Sequence, residues 1–250
     1  MDTEQIKTLE QLKQRLEQKE AELTATQKGL ESISYTISHD LRAPLRTIDD
    51  FSQALTDDFG QDLPEEAMQH LVRIRKATRN MRSMIDELLE LSRVGRRKIE
   101  PQEFSLTKLC HEIIDTTASE DAERNVEVII SPDMTCYGDK TLIKTLMQQL
   151  ISNAWKFTRK VDQPRIEIMQ NLENGKKVYC VKDNGEGFDM TYYDNLFDPF
   201  KYLHSDKEFE GLGVGLTKAR QIVERQNGKI WADSEPGKGA TFCFYVDLES

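Results

Sequence analysis

The stretch SHDLRAPL at residues 38–45 places His39 beside Asp40 inside an apolar pattern of helical period. At about 100° per residue, His39 points away from Ile37 and Leu41, which we expect to face the core of a helical bundle. An exposed imidazole is mostly neutral near neutral pH and offers one ring nitrogen as a nucleophile, while the adjacent acid can hold the other nitrogen. His39 is therefore a candidate nucleophile and Asp40 its partner.

An ordinary surface histidine beside an ordinary acid would also fit these residues. Pro44, however, follows His39 within the same helical pattern. A proline in a helix interior costs about 3 kcal/mol, removes a backbone hydrogen bond and should bend the helix. This placement favours a specialised role for the histidine.

The regions on both sides of this stretch carry the periodicity of amphipathic helices. Upstream, apolar residues recur at every seventh position from Leu9 to Ile37, which predicts a coiled-coil seam, with a plain solvated helix as the alternative. Downstream, apolar steps of three and four residues on both sides of the turn at 57–65 predict two long helices. One such hairpin leaves its apolar stripe uncovered, so we expect a homodimer that forms a four-helix bundle.

The second half of the chain alternates helical with strand-like segments. Helical patterns lie at 106–118, 140–158 and 216–226, and strand-like runs lie at 126–130, 165–170, 177–182, 228–233 and 241–248. We therefore predict an α+β chain, in which a coiled-coil and helical hairpin precede an α/β sandwich of one sheet and one helical layer.

Three motifs in this half supply groups that suit a nucleotide. The first lies on the helix at 140–158, where Gln149, Asn153 and Lys156 share one polar face. An asparagine oxygen can bind Mg²⁺ together with phosphate oxygens, and a lysine can neutralise phosphate charge. A solvated helix face is the alternative.

The other two motifs contain glycines. Asp183 ends a strand-like run and precedes Gly185 and Gly187, so its carboxylate can accept a hydrogen bond from the amine of a base that the glycines admit. The run GLGVGL at 211–216 opens a helix whose N-terminal amides suit phosphates. It is neither a P-loop nor a dinucleotide fingerprint. The aperiodic segment at 190–210 between them predicts a lid.

Composition excludes other classes of function. The net charge of −10 argues against a nucleic-acid partner. No apolar stretch approaches the roughly 20 residues that cross a bilayer, and the polar N-terminus does not resemble a signal peptide, so we expect a cytoplasmic chain. The cysteines lack a metal-binding or paired spacing, and we expect buried thiols rather than disulfides or a zinc site. They are Cys110, Cys136, Cys180 and Cys243.

Taken in their order along the chain, the motif around His39 and the three nucleotide motifs resemble those of a sensor histidine kinase of two-component systems. The resemblance covers essentially the whole chain. The segment around His39 is similar to the phosphoacceptor box of that family, and the later motifs are similar to its GHKL-type ATP-binding domain. The stretch FDPFKYLHS at 197–205 is most similar to the phytochrome-like subgroup. The resemblance implies ATP and Mg²⁺ as cofactors, autophosphorylation of His39 and transfer to an aspartate of a response-regulator receiver domain.

The same resemblance implies roles for individual residues. His39 and Asp40 would be catalytic, and Asn153 would coordinate Mg²⁺. Asp183 would bind the adenine amine, with Phe157 near the ring. The full set of implied ATP-binding residues is Asn153, Lys156, Phe157, Asp183, Gly185, Gly187, Gly211, Gly213, Gly215 and Leu216.

The resemblance also implies how the chain is divided. The expected parts are a coiled-coil signalling linker at 1–30, a dimerisation and histidine phosphotransfer hairpin at 31–95, a linker at 96–103 and a catalytic ATP-binding domain at 104–250. An upstream sensor domain, in the same chain or in a partner, would supply the signal. Autophosphorylation of His39 within one chain and autophosphorylation between the two chains of a dimer are both compatible with the sequence.

Several residues depart from the family pattern. Gln149 replaces a usual asparagine and the glutamate that activates water in related ATPases, which argues against an ATPase or chaperone that simply hydrolyses ATP. Tyr202 and Leu212 replace a common arginine and threonine, so a non-catalytic dimeric nucleotide-binding scaffold is the alternative function. Ala43 replaces a residue that positions water for dephosphorylating the partner, which argues against phosphatase activity.

Overall fold

A computed structural model describes residues 3–95, 97–199, 201 and 213–248. The chain divides into two compact units, Met1–Ser92 and Arg93–Ser250. The first is built from helices, and the second combines helices with two β-sheets. This arrangement confirms the predicted α+β class.

Two long helices form the first unit. Helix α1 spans Thr3–Phe59 and continues through Pro44, so the predicted coiled-coil segment and the first helix of the hairpin are one element. Helix α2 spans Glu65–Val94 and begins directly after Pro64. Glu65 and Glu66 lie in its first turn, where negative charge stabilises the positive end of the helix dipole.

One stripe on each helix packs inside this hairpin. Most of the buried side chains recur at every seventh position, and Leu45 of α1 clusters with Ile85 and Leu89 of α2. Arg42 reinforces this packing from α1 with a 2.6 Å hydrogen bond to Asp86 of α2, and Arg75 donates to Asp49 at 3.3 Å. The buried stripe consists of Ser38, Leu45 and Ser52 on α1 and Leu71, Thr78 and Ile85 on α2.

A second stripe, of larger apolar side chains, is exposed in the single chain. Ile37 and Leu41 are 53% and 41% exposed in the single chain, so their place in the core of a dimeric bundle stays a prediction. Ser38, between them on α1, is buried instead. We call this second set the exposed stripe; it consists of Ile37, Leu41, Ile48, Phe51 and Leu55 on α1 and Ile74, Met81 and Leu88 on α2.

The described residues of the second unit form three α-helices, two sheets and a short 3-10 helix. In chain order its elements are β1 (Pro101–Ser105), α3 (Leu106–Glu120), β2 (Glu127–Ile130), β3 (Thr135–Asp139), α4 (Lys140–Phe157), β4 (Arg165–Glu173), β5 (Lys176–Asp183), the 3-10 helix Met190–Asn195, α5 (Gly215–Glu224), β6 (Lys229–Glu235) and β7 (Gly239–Tyr245).

The larger sheet has the strand order β2-β4-β5-β7-β6. Strands β2 and β4 run parallel, and the other neighbours run antiparallel. The β4–β5 hairpin turns at Asn174 and Gly175, whose positive φ angles of 50° and 79° suit a two-residue hairpin turn. Strands β1 and β3 form a separate two-stranded sheet that the sequence patterns missed.

The core of this unit lies between the larger sheet and α3, α4 and α5. Apolar residues alternate on β4, where Ile166 and Ile168 are buried, and they form a broad stripe on α4. Asp139 begins α4 by accepting hydrogen bonds from the backbone amides of Thr141 and Leu142. The core therefore fixes one face of α4 and leaves its polar face for other contacts.

The cysteines depart from prediction in one respect. Cys180 and Cys243 form a disulfide between β5 and β7, whereas Cys110 and Cys136 are buried free thiols as predicted. The antiparallel register places Cys180 directly opposite Cys243, a pairing that their separation of 63 residues does not reveal. Burial raises the pKa of Cys110 to about 12 and that of Cys136 to about 11, which makes both thiols unreactive.

Candidate phosphotransfer and nucleotide sites

His39 lies on the exposed side of α1. Its side chain is 74% exposed, and its Nδ1 lies 3.2 Å from Oδ1 of Asp40. This contact occupies one ring nitrogen and leaves Nε2 facing away from the acid. The first unit therefore presents the candidate nucleophile and the adjacent acid in the arrangement that the sequence predicts.

Helix α4 provides one wall of the candidate nucleotide site in the second unit. Gln149, Asn153, Lys156 and Phe157 are half-buried along this helix, beside the face that packs in the core. Burial lowers the pKa of Lys156, whose ammonium lies 4.7 Å from the ring centre of Phe157. A partly desolvated cation of this kind interacts more strongly with an anion than a fully hydrated one does.

Asp183 ends β5 as a buried carboxyl. Its Oδ1 accepts hydrogen bonds from the backbone amides of Gly185 at 2.8 Å and Ala240 at 3.3 Å. Burial raises the pKa of Asp183 to about 6, although these two hydrogen bonds act in the opposite direction. The carboxyl can therefore receive one further donor, such as the exocyclic amine of a purine.

The two glycines after Asp183 are required by close backbone contacts. A Cβ at Gly185 would lie 2.5 Å from the carbonyl oxygen of Phe157, at the end of α4. A Cβ at Gly187 would lie 2.1 Å from the carbonyl oxygen of Glu235, and Gly187 has a φ of 62°. These contacts bring the loop at 183–187 against both α4 and the β6–β7 turn.

The N-terminus of α5 lies next to Gln149. A Cβ at Gly215, the first residue of α5, would lie 2.3 Å from Oε1 of Gln149. The preceding residue, Val214, provides no side-chain cap, so the first amides of α5 are presented as anion donors. Gly213 adopts a φ of 67°, which favours glycine at the entrance to the helix.

The structure brings most of the predicted nucleotide residues onto one framework. Phe157, Asp183 and Gly185 are joined by direct contacts, Gly187 packs against Glu235 and Gly239, and Gln149 with Gly215 forms a second group. Asn153 lies on α4 one turn from each group. Leu216 packs against the core.

Other predicted residues lie outside the described part of the chain, or form a structure that differs from the prediction. Gly211, Tyr202 and Leu212 lie outside the described residues, as do residue 200 and the rest of 202–210 in the predicted lid. The first part of that segment forms the 3-10 helix Met190–Asn195, so the prediction of an irregular segment is wrong there. The hydroxyl of Thr217 donates to the carbonyl oxygen of Phe197 at 2.9 Å, which ties the segment after the 3-10 helix to α5.

One functional element was absent from the sequence predictions. Gly239 and Ala240, at the start of β7, hold Asp183 from the side opposite its own loop. A Cβ at Gly239 would lie 2.0 Å from the carbonyl oxygen of Asp183. The only sequence signal was the glycine-rich turn EPGKG at 235–239, which also fits an ordinary hairpin.

The residues present fit a magnesium ion only together with a nucleotide. Within the part of the chain that the structure describes, no group of three His, Cys, Asp or Glu side chains could hold a metal. Asn153 offers a single amide oxygen on the polar face of α4. Magnesium commonly binds through few protein oxygens, with phosphate oxygens and water completing its octahedron.

Two family models match the chain in consecutive segments. The model of the His Kinase A (phospho-acceptor) domain matches residues 30–97, and that of the histidine kinase-, DNA gyrase B- and HSP90-like ATPase matches residues 138–250. The first contains His39 and Asp40, and the second contains α4, Asp183 and α5. The chain therefore contains a phosphoacceptor domain and an ATP-binding domain.

Several known proteins are similar over nearly all of this chain. Cyanobacterial phytochrome B of Nostoc sp. is 35% identical over 92% of this chain and 31% of its own length. The methanogenesis regulatory histidine kinase FilI of Methanothrix harundinacea is 31% identical over 92% of this chain and 26% of its own length. The chain thus spans about a third or less of these relatives.

A solved structure shares the fold. The histidine kinase ThkA, crystallised in complex with the response regulator protein TrrA, is 23% identical, with a TM-score of 0.59 over 86% of this chain and 60% of that one. None of the described helices has the length and apolar character that crossing a membrane requires. With the phosphoacceptor and ATPase models matched in sequence order, and with histidine kinases among the relatives, the chain belongs to the histidine kinase family.

Proposed function

We propose that this chain transfers the γ-phosphoryl group of ATP to Nε2 of His39 and then passes it to an aspartate of a response-regulator receiver domain. The observation that carries the proposal is the exposed His39, whose Nδ1 lies against Asp40, in a chain that also has an ATP-binding domain. With this function we propose the division of the chain that the sequence suggests. It has a linker at 1–30, a hairpin at 31–95, a linker at 96–103 and an ATP-binding domain at 104–250.

In the proposed complex, ATP spans the two groups of residues on the second unit. Asp183 would accept the adenine amine, and Phe157 would contact the ring. The amides of Gly213 and Gly215 would face the phosphates, with Lys156 neutralising part of their charge. A Mg²⁺ ion held by Asn153 and the phosphate oxygens would supply further charge neutralisation.

The geometry at His39 suits an in-line displacement. In the proposed tautomer Nδ1–H of His39 donates a hydrogen bond to Asp40, which leaves the Nε2 lone pair free to attack the γ-phosphorus. The N–P bond forms as the bond from phosphorus to the bridging oxygen breaks, and ADP leaves. Positioning and electrostatic stabilisation supply most of the catalysis in reactions of this class.

The exposed stripe supports a homodimer as the working form. Its side chains include Phe51, which is 69% exposed, and they lie on both helices of the hairpin. A helical hairpin with one covered and one uncovered apolar stripe is half of a four-helix bundle. A second copy of the chain would cover the stripe by two-fold symmetry.

The remaining partners follow from the proposed chemistry. A phosphohistidine needs an acceptor, and the solved complex of ThkA with a response regulator protein supports a receiver domain in that role. A sensor domain, in the same chain or in a partner, would act through α1, and we assign the reaction to the cytoplasm, where ATP is supplied. A purely nucleotide-binding dimeric scaffold is the alternative.

The test is incubation of the protein with γ-labelled ATP and Mg²⁺. We expect acid-labile, base-stable label that His39→Ala abolishes and that chelation of the metal reduces. His70→Ala is the matched control, because His70 is an exposed histidine on the same hairpin, and it should retain the label.

The alternatives give different results in the same experiment. Label that persists in His39→Ala would overturn the assignment of the nucleophile. Nucleotide binding without label or free phosphate would favour the scaffold, and rapid release of free phosphate without a phosphoprotein would favour simple hydrolysis. Movement of label from His39 to an added receiver domain would test the second transfer.

A further inference from the structure

The disulfide Cys180–Cys243 lies on the sheet that carries the nucleotide site. Cys180 is on β5 and Cys243 on β7, in adjacent antiparallel strands. Both are buried, but they belong to a cluster separate from the main core. This cluster lies on the other face of the sheet and includes Val178, with Met169, Trp231 and Tyr245 packed against it.

The same two strands hold the adenine-facing carboxyl. Asp183 follows Cys180 by three residues on β5, and Ala240 precedes Cys243 by three residues on β7, so both lie toward the same end of the strand pair from the disulfide. The amide of Ala240 donates to Oδ1 of Asp183 at 3.3 Å, and Gly239 packs against the Asp183 carbonyl. The spacing between β5 and β7 therefore sets the position of Asp183.

Opening the disulfide would alter that spacing. Two thiol sulfurs that are not bonded need more room than a disulfide, because each keeps its full van der Waals radius. The neighbouring Trp231 and Tyr245 rings contact each other and limit the available space on that face. The two strands must then adjust, and the long hydrogen bond between Ala240 and Asp183 is the contact at risk.

We propose that Cys180 and Cys243 form a reversible thiol–disulfide site that controls ATP affinity, the disulfide form binding ATP more tightly. This inference rests on the assignment of Asp183 to the ATP site under the proposed function. It assigns to the two cysteines a regulatory role, and it leaves the phosphotransfer chemistry at His39 unchanged.

The redox step is a dithiol–disulfide exchange. A small dithiol reductant attacks one sulfur of the bond through its thiolate, forms a mixed disulfide and releases the other cysteine as a thiolate that takes up a proton. The second thiol of the reductant then displaces the remaining cysteine and closes a cyclic disulfide. The protein gains two electrons and two protons, and the reductant loses the same.

The experiment measures ATP affinity of the full chain before and after treatment with a dithiol reductant. Free thiols are counted by alkylation and mass spectrometry in each sample. We expect two alkylated cysteines before reduction and four after it, together with an ATP Kd that rises about fivefold on reduction. Reoxidation with a small-molecule disulfide should restore the original Kd.

A matched pair of variants identifies the responsible cysteines. The double variant C180S/C243S should bind ATP like the reduced protein and should not respond to reductant. Cys110→Ala removes a free buried thiol and should leave the redox response intact. If either variant fails to fold, the comparison of reduced and oxidised wild-type protein still decides the question.

The results separate this inference from the proposed function. Equal ATP affinity in the two redox forms, or four free thiols in protein treated with the disulfide oxidant, would overturn the inference alone. Absence of ATP binding in both forms would instead overturn the proposed nucleotide site. A redox response that persists in C180S/C243S would show that another group carries it and would also overturn the inference.

Discussion

Asp183 gives the molecule a pH-dependent residue at the candidate ATP site. Burial raises the pKa of its carboxyl to about 6, so in the unliganded protein the group becomes ionised as the pH rises through that value. Because the pKa in the folded protein lies above the ordinary aspartate value of 3.8, this group stabilises the unliganded fold most at pH values below both, and that contribution is lost as the pH rises through about 6.

Nucleotide binding should show the opposite dependence on pH. The ionised carboxylate is the better acceptor for an adenine amine, so we expect the ATP Kd to rise as the pH falls through about 6. Isothermal titration calorimetry between weakly acidic and neutral pH measures this. Asp183→Asn should bind ATP more weakly and lose the pH dependence, and an unchanged profile in that variant would show that another group titrates.

Gly215 provides a second test at the scale of one residue. A Cβ there would lie 2.3 Å from Oε1 of Gln149, the movable end of a side chain, so Gly215→Ala should displace that amide while the fold persists. We expect ATP affinity to fall about tenfold, and the double variant with Gln149→Ala to recover part of it, since the clash is removed. Fluorescent-nucleotide titration measures both.

The matched control for this substitution is Gly175→Ala. Gly175 has a φ of 79° and no atom within 4 Å of an added Cβ, so alanine there costs about 1 kcal/mol through backbone strain alone. Its ATP affinity should be unchanged. Equal losses of affinity in Gly175→Ala and Gly215→Ala would mean that general destabilisation, rather than the contact with Gln149, explains the effect.

Single residues also show where sequence reasoning succeeds and where it stops. The types and spacing of His39 and Asp40 identified a candidate pair on a helix, because a helix converts sequence separation directly into angle. Ala240 could not be found in the same way. It holds Asp183 through a backbone amide, and a backbone contact between distant strands leaves no signature in side-chain type.

At the scale of elements, Asp139 connects the start of α4 to the rest of the second unit. Its Oδ1 accepts from the amides of Thr141 and Leu142, and its Oδ2 accepts from the amide of Glu100. All of these hydrogen bonds end on one buried carboxylate. Removing it would leave several backbone donors without an acceptor at the base of the helix that carries Asn153.

We expect Asp139→Ala to reduce the free energy of unfolding by about 3 kcal/mol, measured by urea denaturation. Ser105→Ala is the comparison, because Ser105 caps α3 through one hydrogen bond from the amide of Lys108. That change should cost about 1 kcal/mol. Equal losses in the two variants would contradict the idea that the Asp139 carboxylate serves both the helix and the preceding segment.

Element prediction from the sequence depended on length and periodicity. Helices α3, α4 and α5 and the strands of the larger sheet were predicted because their apolar patterns are regular. Strands β1 and β3 are short and were missed: β1 begins at Pro101 and β3 includes Gly138, and both residue types argue against a strand locally. Their pairing is a tertiary effect that local pattern does not carry.

At the scale of the whole molecule, the two units bury their apolar surface differently. The second unit has a large core cluster, whereas the buried cluster of the hairpin is limited to Leu45, Ile85 and Leu89 among the described residues. The exposed stripe of the hairpin supplies the missing burial only if another copy covers it. Sequence periodicity identified both helices. It could not distinguish the buried stripe, which packs within the chain, from the exposed stripe, which we expect a second chain to cover, because both stripes have helical spacing.

This difference predicts two unfolding transitions with different dependence on protein concentration. The hairpin should unfold as a dimer, so each tenfold dilution should remove about 1.4 kcal/mol of its apparent stability, whereas the second unit should unfold independently of concentration. Ile48→Glu places a charge in the exposed stripe and should give a monomer in sedimentation velocity. Val72→Glu is the control, because Val72 is 62% exposed but lies off the stripe, and it should remain a dimer. A wild-type hairpin transition that ignores concentration would show that the exposed stripe is not covered by a second chain, because only association makes unfolding depend on the amount of protein present.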